Sequence, residues 1–206
     1  MHIVESQGNQ ATDNQVLHPG SRALFRHWET LRAERPCPNR EELELGAVVE
    51  FVPDLLILER DHMRNSFRYR LAGTRVCELF GENLTSTNFL AGWDSFEADV
   101  INKHLLQTLA NFQPALFRLR LTTDLRQQVA AEVLALPLRM KGSQRIQVLG
   151  GVFSFHPVRN LGHNAITGRE LLAARTVWTE YQQALKPTAQ NLPFRRDRRR
   201  KGLNAS

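Results

Sequence analysis

The run FRYRLAGTRVCELFG, residues 67–81, changes its hydrophobic period halfway along. Phe67, Tyr69 and Leu71 alternate with Arg68, Arg70 and Ala72, the period of a half-buried strand. Beyond Gly73, Val76, Leu79 and Phe80 recur at helical steps. A chain that passes from a strand into a short helix, closed again by Gly81, must leave the plane of its sheet there. That excursion restricts the architectures open to it.

The flanking segments supply the rest. DLLILER, from Asp54, reads as an apolar strand, and DHMRNS as the hairpin loop joining it to the alternating run. After the loop GENLTSTNFLAGW, Asp94 and Glu97 stand at capping-box spacing ahead of a helix. In that helix Val100, Ile101, Leu105, Leu109 and Phe112 share a face, and Pro114 ends it. ALFRLRLTT, QQVAAEVLALPLR and RIQVLGGVFSFH then read as three strands, with a turn at KGS between the last two. The order ββ, helices, βββ predicts an α+β fold: a five-stranded antiparallel sheet with helices on one face. Two flanking helices are expected as well. The first follows Ser21, an N-cap candidate, with a stripe of Leu24, Trp28 and Leu31, and a weaker helical segment runs from Asn39 to about Val49. The second spans residues 168–186, where Leu171, Ala174, Trp178, Tyr181 and Leu185 fall at heptad-like spacing before Pro187.

With 206 residues, 42% of them hydrophobic, the chain can bury one substantial core. Its formal charge of +6 resides almost entirely in RRDRRRK, residues 195–201, where six basic residues and one acid leave about +1 for the rest. The expected organisation is a polar, disordered arm over 1–19, one domain over 20–160, a helical extension over 161–187 and a disordered basic tail over 188–206. Cys37 and Cys77 form neither a CxxC pair nor a disulfide framework. With no apolar leader and no run long enough to span a bilayer, this favours a cytoplasmic protein without membrane attachment.

Five features in this order resemble the PAS domain, and in particular the PAS_5 family of single-PAS proteins from alphaproteobacteria. They are Trp28 on the first helix, the Arg70, Gly73, Thr74 motif at a strand end, Gly81 with Leu84, the LPL of Leu136 to Leu138, and VLGGVFSF. The resemblance covers roughly residues 21–156. It implies a bacterial sensory or protein-interaction module without catalytic residues, and a cavity between the concave sheet face and the long helix that takes a haem, a flavin, a small acid or nothing. No particular cofactor is specified.

Candidates to line that cavity are Tyr69, Leu71, Trp93, Phe117, Leu119 and Phe153, with plain core packing as the alternative. His104 stands on the long helix, where haem-binding relatives present an axial histidine; a solvated surface histidine is the alternative. Cys77 lacks the surroundings of a flavin-adduct cysteine. His156 and His163 lack further ligands for a metal. Arg68, Arg70, Arg118 and Arg120 form either a basic stripe or an ordinary solvated face. Trp178 and Tyr181, on the expected last helix, can pack on their own sheet, a second copy or a protein partner. Two other functions stay open: a regulator that reaches nucleic acid through the basic tail, for which no recognition motif speaks, and a small enzyme using His104 or His156 as a base. Residues 157–206 are too few for a kinase or cyclase effector, so any output is expected to pass through a partner or self-association.

Overall fold

The segment QVAAEVLALPLR carries apolar residues at odd and even positions alike, so as a strand it can lie only inside a sheet covered on both faces. A computed structural model, which describes residues 15–43, 45–143, 145–156 and 166–179, puts it there. The elements are helix α1 (Pro19–Arg32), two 3-10 turns (Arg40–Glu42 and Leu45–Asp54), β1 (Leu55–Asp61), β2 (Ser66–Ala72), helix α2 (Thr74–Phe80) and helix α3 (Ser95–Asn111). Strands β3 (Ala115–Thr123), β4 (Gln128–Arg139), β5 (Ile146–Ser154) and β6 (Ile166–Thr176) complete the sheet. Its order is β2-β1-β5-β4-β3-β6, and all neighbours are antiparallel.

Each face has its own core. On the inner face Leu58, Phe67, Tyr69, Phe117, Leu119 and Val133 pack against α2 and against Ile101 and Leu105 of α3. On the outer face Leu116, Leu134, Leu136 and Leu149 pack against Leu24, Phe25 and Trp28 of α1. The first helix therefore covers the sheet, rather than flanking it. The Trp28 indole is 0% exposed, and its Nε1–H donates to the Pro137 carbonyl at 2.8 Å. Helix α1 begins before Ser21: Pro19 occupies its first turn, and His18 caps it by accepting the Gly20 N–H at Nδ1, 3.0 Å away. Glu132 of β4, 0% exposed, anchors the same end by accepting from the backbone N–H groups of Leu17 (3.2 Å) and His18 (3.0 Å).

The sheet has six strands, and the sixth corrects the expected C-terminal helix. Residues 166–176 pair with β3 from Ala115↔Thr176 to Thr123↔Ile166. Leu172 and Thr167 are extra residues at two register shifts, so Ile166, Leu171 and Ala174, at steps of five and three, all reach the inner core from a strand. Those steps look helical because of the bulges. The Glu, Leu, Ala and Arg content favours a helix locally, but β3 would otherwise be a long unpaired edge, and the ladder prevails. Glu97 adds a tether: its carboxylate accepts the Leu171 N–H at 2.8 Å instead of closing a capping box, while Asp94 caps α3 through the Phe96 N–H. Tyr181, His163 and the basic run 195–201 lie outside the described residues.

Removing the Trp28 side chain as Trp28→Ala is expected to lower the unfolding free energy by about 3–5 kcal/mol through the outer-face cavity. Trp28→Phe, which leaves the Pro137 carbonyl without its donor, is expected to cost about 1–3 kcal/mol. Urea midpoints at unchanged slope measure both, and a Phe variant as stable as the parent would remove the hydrogen bond from the account.

Candidate functional site

The inner face under α3 is where the lining residues were expected, and it receives only some of them. Tyr69, Phe117 and Leu119 are buried in the inner core, with Trp93 half-buried against them. The Tyr69 ring meets Phe89 edge-on at 5.4 Å, and burial drives its phenol pKa upward. His104 also turns toward this core. Its ring stands edge-on to Phe117 at 5.9 Å with Nδ1 buried and unbonded among the described residues, so it is half-buried rather than a solvated surface histidine. Burial lowers its pKa, and the neighbouring Lys103 charge pushes the same way.

Two expected lining residues face elsewhere. The β1–β2 register slips between Ile57 and Leu58, making Arg70 an extra residue, so Leu71 pairs with Ile57 at the sheet's edge and is 42% exposed. Phe153 pairs with Glu132, and alternation along β5 sends it into the outer core while Val152 faces inward.

Around Phe153 lies a second cluster that the sequence did not bring together. Its ring stacks on His18 (5.2 Å, 15°) and meets Phe51 edge-on at 5.9 Å. A Cβ on Gly20 or Gly151 would fall within 2.5 Å of that ring, so both positions must be glycine for α1 to sit this close. A recess of about 320 Å³ opens here, bordered by His18, Asp54, Arg75, Phe153 and His156. Arg75 clamps Asp54 through Nε (2.9 Å) and Nη2 (2.6 Å), tying the start of α2 to the start of β1. Burial outweighs the nearby Glu132 charge and holds the His18 pKa below its ordinary value, and burial raises that of Asp54. The only hint in the sequence was His-Pro ahead of a helix, an unusual cap.

The motif residues Gly73, Thr74 and Gly81 mark the exit from the sheet. A Cβ on Gly73 would lie 2.2 Å from the Pro53 carbonyl oxygen, and its N–H donates to Leu55 at 2.8 Å. Gly73 precedes α2, Thr74 begins it, and Gly81 ends it at φ 72. The arginine stripe is largely neutralised, with Arg68 on Glu59 (2.8 Å), Arg118 near Glu132 (3.6 Å) and Arg120 on Glu170 (2.7 Å). Among the described residues no three of His, Cys, Asp and Glu gather to hold a metal, and no helix is long and apolar enough to cross a membrane.

This architecture, a curled antiparallel sheet with a helical excursion after its second strand, is PAS-like. A family model for the PAS domain, PAS_5, matches residues 16–153, which is 138 of 206 residues. The chain belongs to the PAS domain family, whose members are in general sensory or regulatory modules. The matched span takes in α1 and ends within β5, leaving β6 outside it. A comparison with curated proteins finds no match.

His18 and His104 both have folded-state pKa values below 6.5. The unfolded chain therefore binds protons first as pH falls. Their stabilising contribution is complete above pH 6.5 and is lost as pH drops through 6.5 toward the folded values. Thermal melting is expected to fall between pH 8 and pH 5.5, and less steeply in a His18→Asn, His104→Gln double variant. An equal slope in both proteins would show that other groups carry the dependence.

Proposed function

We propose that this chain is a non-catalytic PAS module that acts in bacterial signalling by associating with protein, and that a second copy of the chain is its first partner. The observation that carries this reading is the apolar surface on the added strand and just after it. Leu172, the extra residue at a β6 bulge, is 46% exposed, and Trp178 is 38% exposed. A bulge that pushes a leucine outward on an edge strand leaves apolar area that association would bury. The dense packing of Tyr69, Phe117 and Leu119 favours protein association over a large cofactor between sheet and α3. A reducing cytoplasm suits the free thiols of Cys37 and Cys77. Nucleic-acid binding is the weaker reading, because no recognition motif accompanies the basic run 195–201 and Arg68, Arg118 and Arg120 are paired with acids.

Native mass spectrometry and light scattering are expected to show a species at twice the 23.6 kDa chain mass, and Leu172→Glu is expected to return it to a monomer. A wild-type monomer at all accessible concentrations, or a dimer indifferent to Leu172→Glu, would contradict the reading.

A further inference from the structure

The ladder between β1 and β5 stops early. It runs from Leu55↔Gly151 to Leu58↔Val148 and no further. Beyond that point β1 continues against β2 as far as Asp61↔Ser66, and β5 continues against β4 as far as Arg139↔Ile146. The central strands therefore part toward this end of the sheet, and the C-terminal part of α3 borders the gap. The result is a cleft of about 790 Å³, within the size range of small-molecule sites.

The cleft is lined both by apolar side chains and by arginines. Its apolar lining comes from Leu106, Leu109 and Ala110 of α3 and Ile146 of β5. Of the charged groups, both acids are already engaged. Glu59 holds Arg68 at 2.8 Å, while Asp61 accepts the Met63 and Arg64 N–H groups (3.1 and 3.2 Å) and pairs with the Arg64 guanidinium at 3.4 Å. Arg60 and Arg145 have no acid partner among the described residues, and the Arg60 Nε–H is buried without an acceptor. A buried guanidinium donor left unpaired costs free energy that an acceptor entering the cleft would recover.

We propose that this cleft is a binding site for a small amphipathic anion, with its carboxylate or phosphate on Arg60 and Arg145 and its alkyl body against Leu106, Leu109 and Ile146. The site is distinct from the interior beneath α3, and it does not depend on the association surface at β6. The engaged acids leave a net positive wall, which selects anions over neutral or cationic molecules of the same shape. The alkyl body buries the α3 side chains now open to water.

The test is isothermal titration of the full chain with octanoate, octyl phosphate, octanol and octylamine below their aggregation limits, with backbone amide shifts followed by NMR. Octanoate or octyl phosphate is expected to bind at least about tenfold more tightly than octanol, the difference made by one charge-assisted hydrogen bond. Amide shifts are expected over 59–62, 106–110 and 145–147. The order of the two anions decides between a carboxylate and a phosphate source. Arg145→Gln, on an exposed position beside the turn, and Arg60→Gln are each expected to weaken anion binding about tenfold without changing the weak octanol binding. Arg60→Lys, which keeps the charge, is expected to lose less than Arg60→Gln. No binding of either anion, equal affinity for octanoate and octanol, or shifts centred on Tyr69, Trp93 and Phe117 would overturn the proposal. So would full affinity in the Arg145→Gln protein.

Discussion

The sheet depends on β4 being covered on both faces. Ala131, Val133 and Ala135 face the helices of the inner side, and Leu134, Leu136 and Leu138 face α1. A strand apolar on both sides cannot face water, so the chain has to supply a cover for each. The inner cover comes from the excursion between β2 and β3, and the outer cover from α1. Glu132 sits among these apolar neighbours as a fully buried charge, affordable because two backbone N–H groups ahead of α1 donate to it and Arg118 stands 3.6 Å away. The carboxylate thus fixes where the helix begins, and Trp28 fixes where it lies across β4.

Much of this was legible in the sequence because the signals were periodic. The alternation in residues 67–70 and 115–123, the turn at 141–143 and the spacing along α3 each follow a single local rule. What escaped was whatever broke a period or joined distant elements. The register slip at Arg70 moved Leu71 away from the core, and the bulges at Thr167 and Leu172 gave a strand the spacing of a helix. Phe153 lies on the outer face, which alternation alone does not distinguish from the inner one when both are buried. Glu97 served β6 rather than its own helix, a partnership across 74 residues that no local pattern reveals. The recess around His18 was hidden for the same reason, since Gly20, Gly151 and Phe153 meet only after folding.

The distribution of packing also bears on function. Where the strands stay paired, the interior is filled by aromatic and branched side chains, and burial lowers the pKa of His104, whose ring reaches it. Where β1 and β5 part, the filling stops, and Arg60 and Arg145 remain without acid partners among the described residues. The cleft lies at one end of the central strands, and β6 forms the far edge of the sheet next to β3. Helix α3 touches both, bordering the cleft through Leu106 and Leu109 and accepting the Leu171 N–H of β6 at Glu97.

The central claim is that α1 is half of the fold's cover rather than an appendage, and hydrogen exchange read by mass spectrometry across a denaturant series tests it most directly. The account predicts that peptides from Pro19–Arg32 and from Gln128–Arg139 lose protection together, in one cooperative step at the global unfolding midpoint. If Pro19–Arg32 exchanged freely at low denaturant while Gln128–Arg139 stayed protected, the outer face of the sheet would not need its helix, and the account would be wrong.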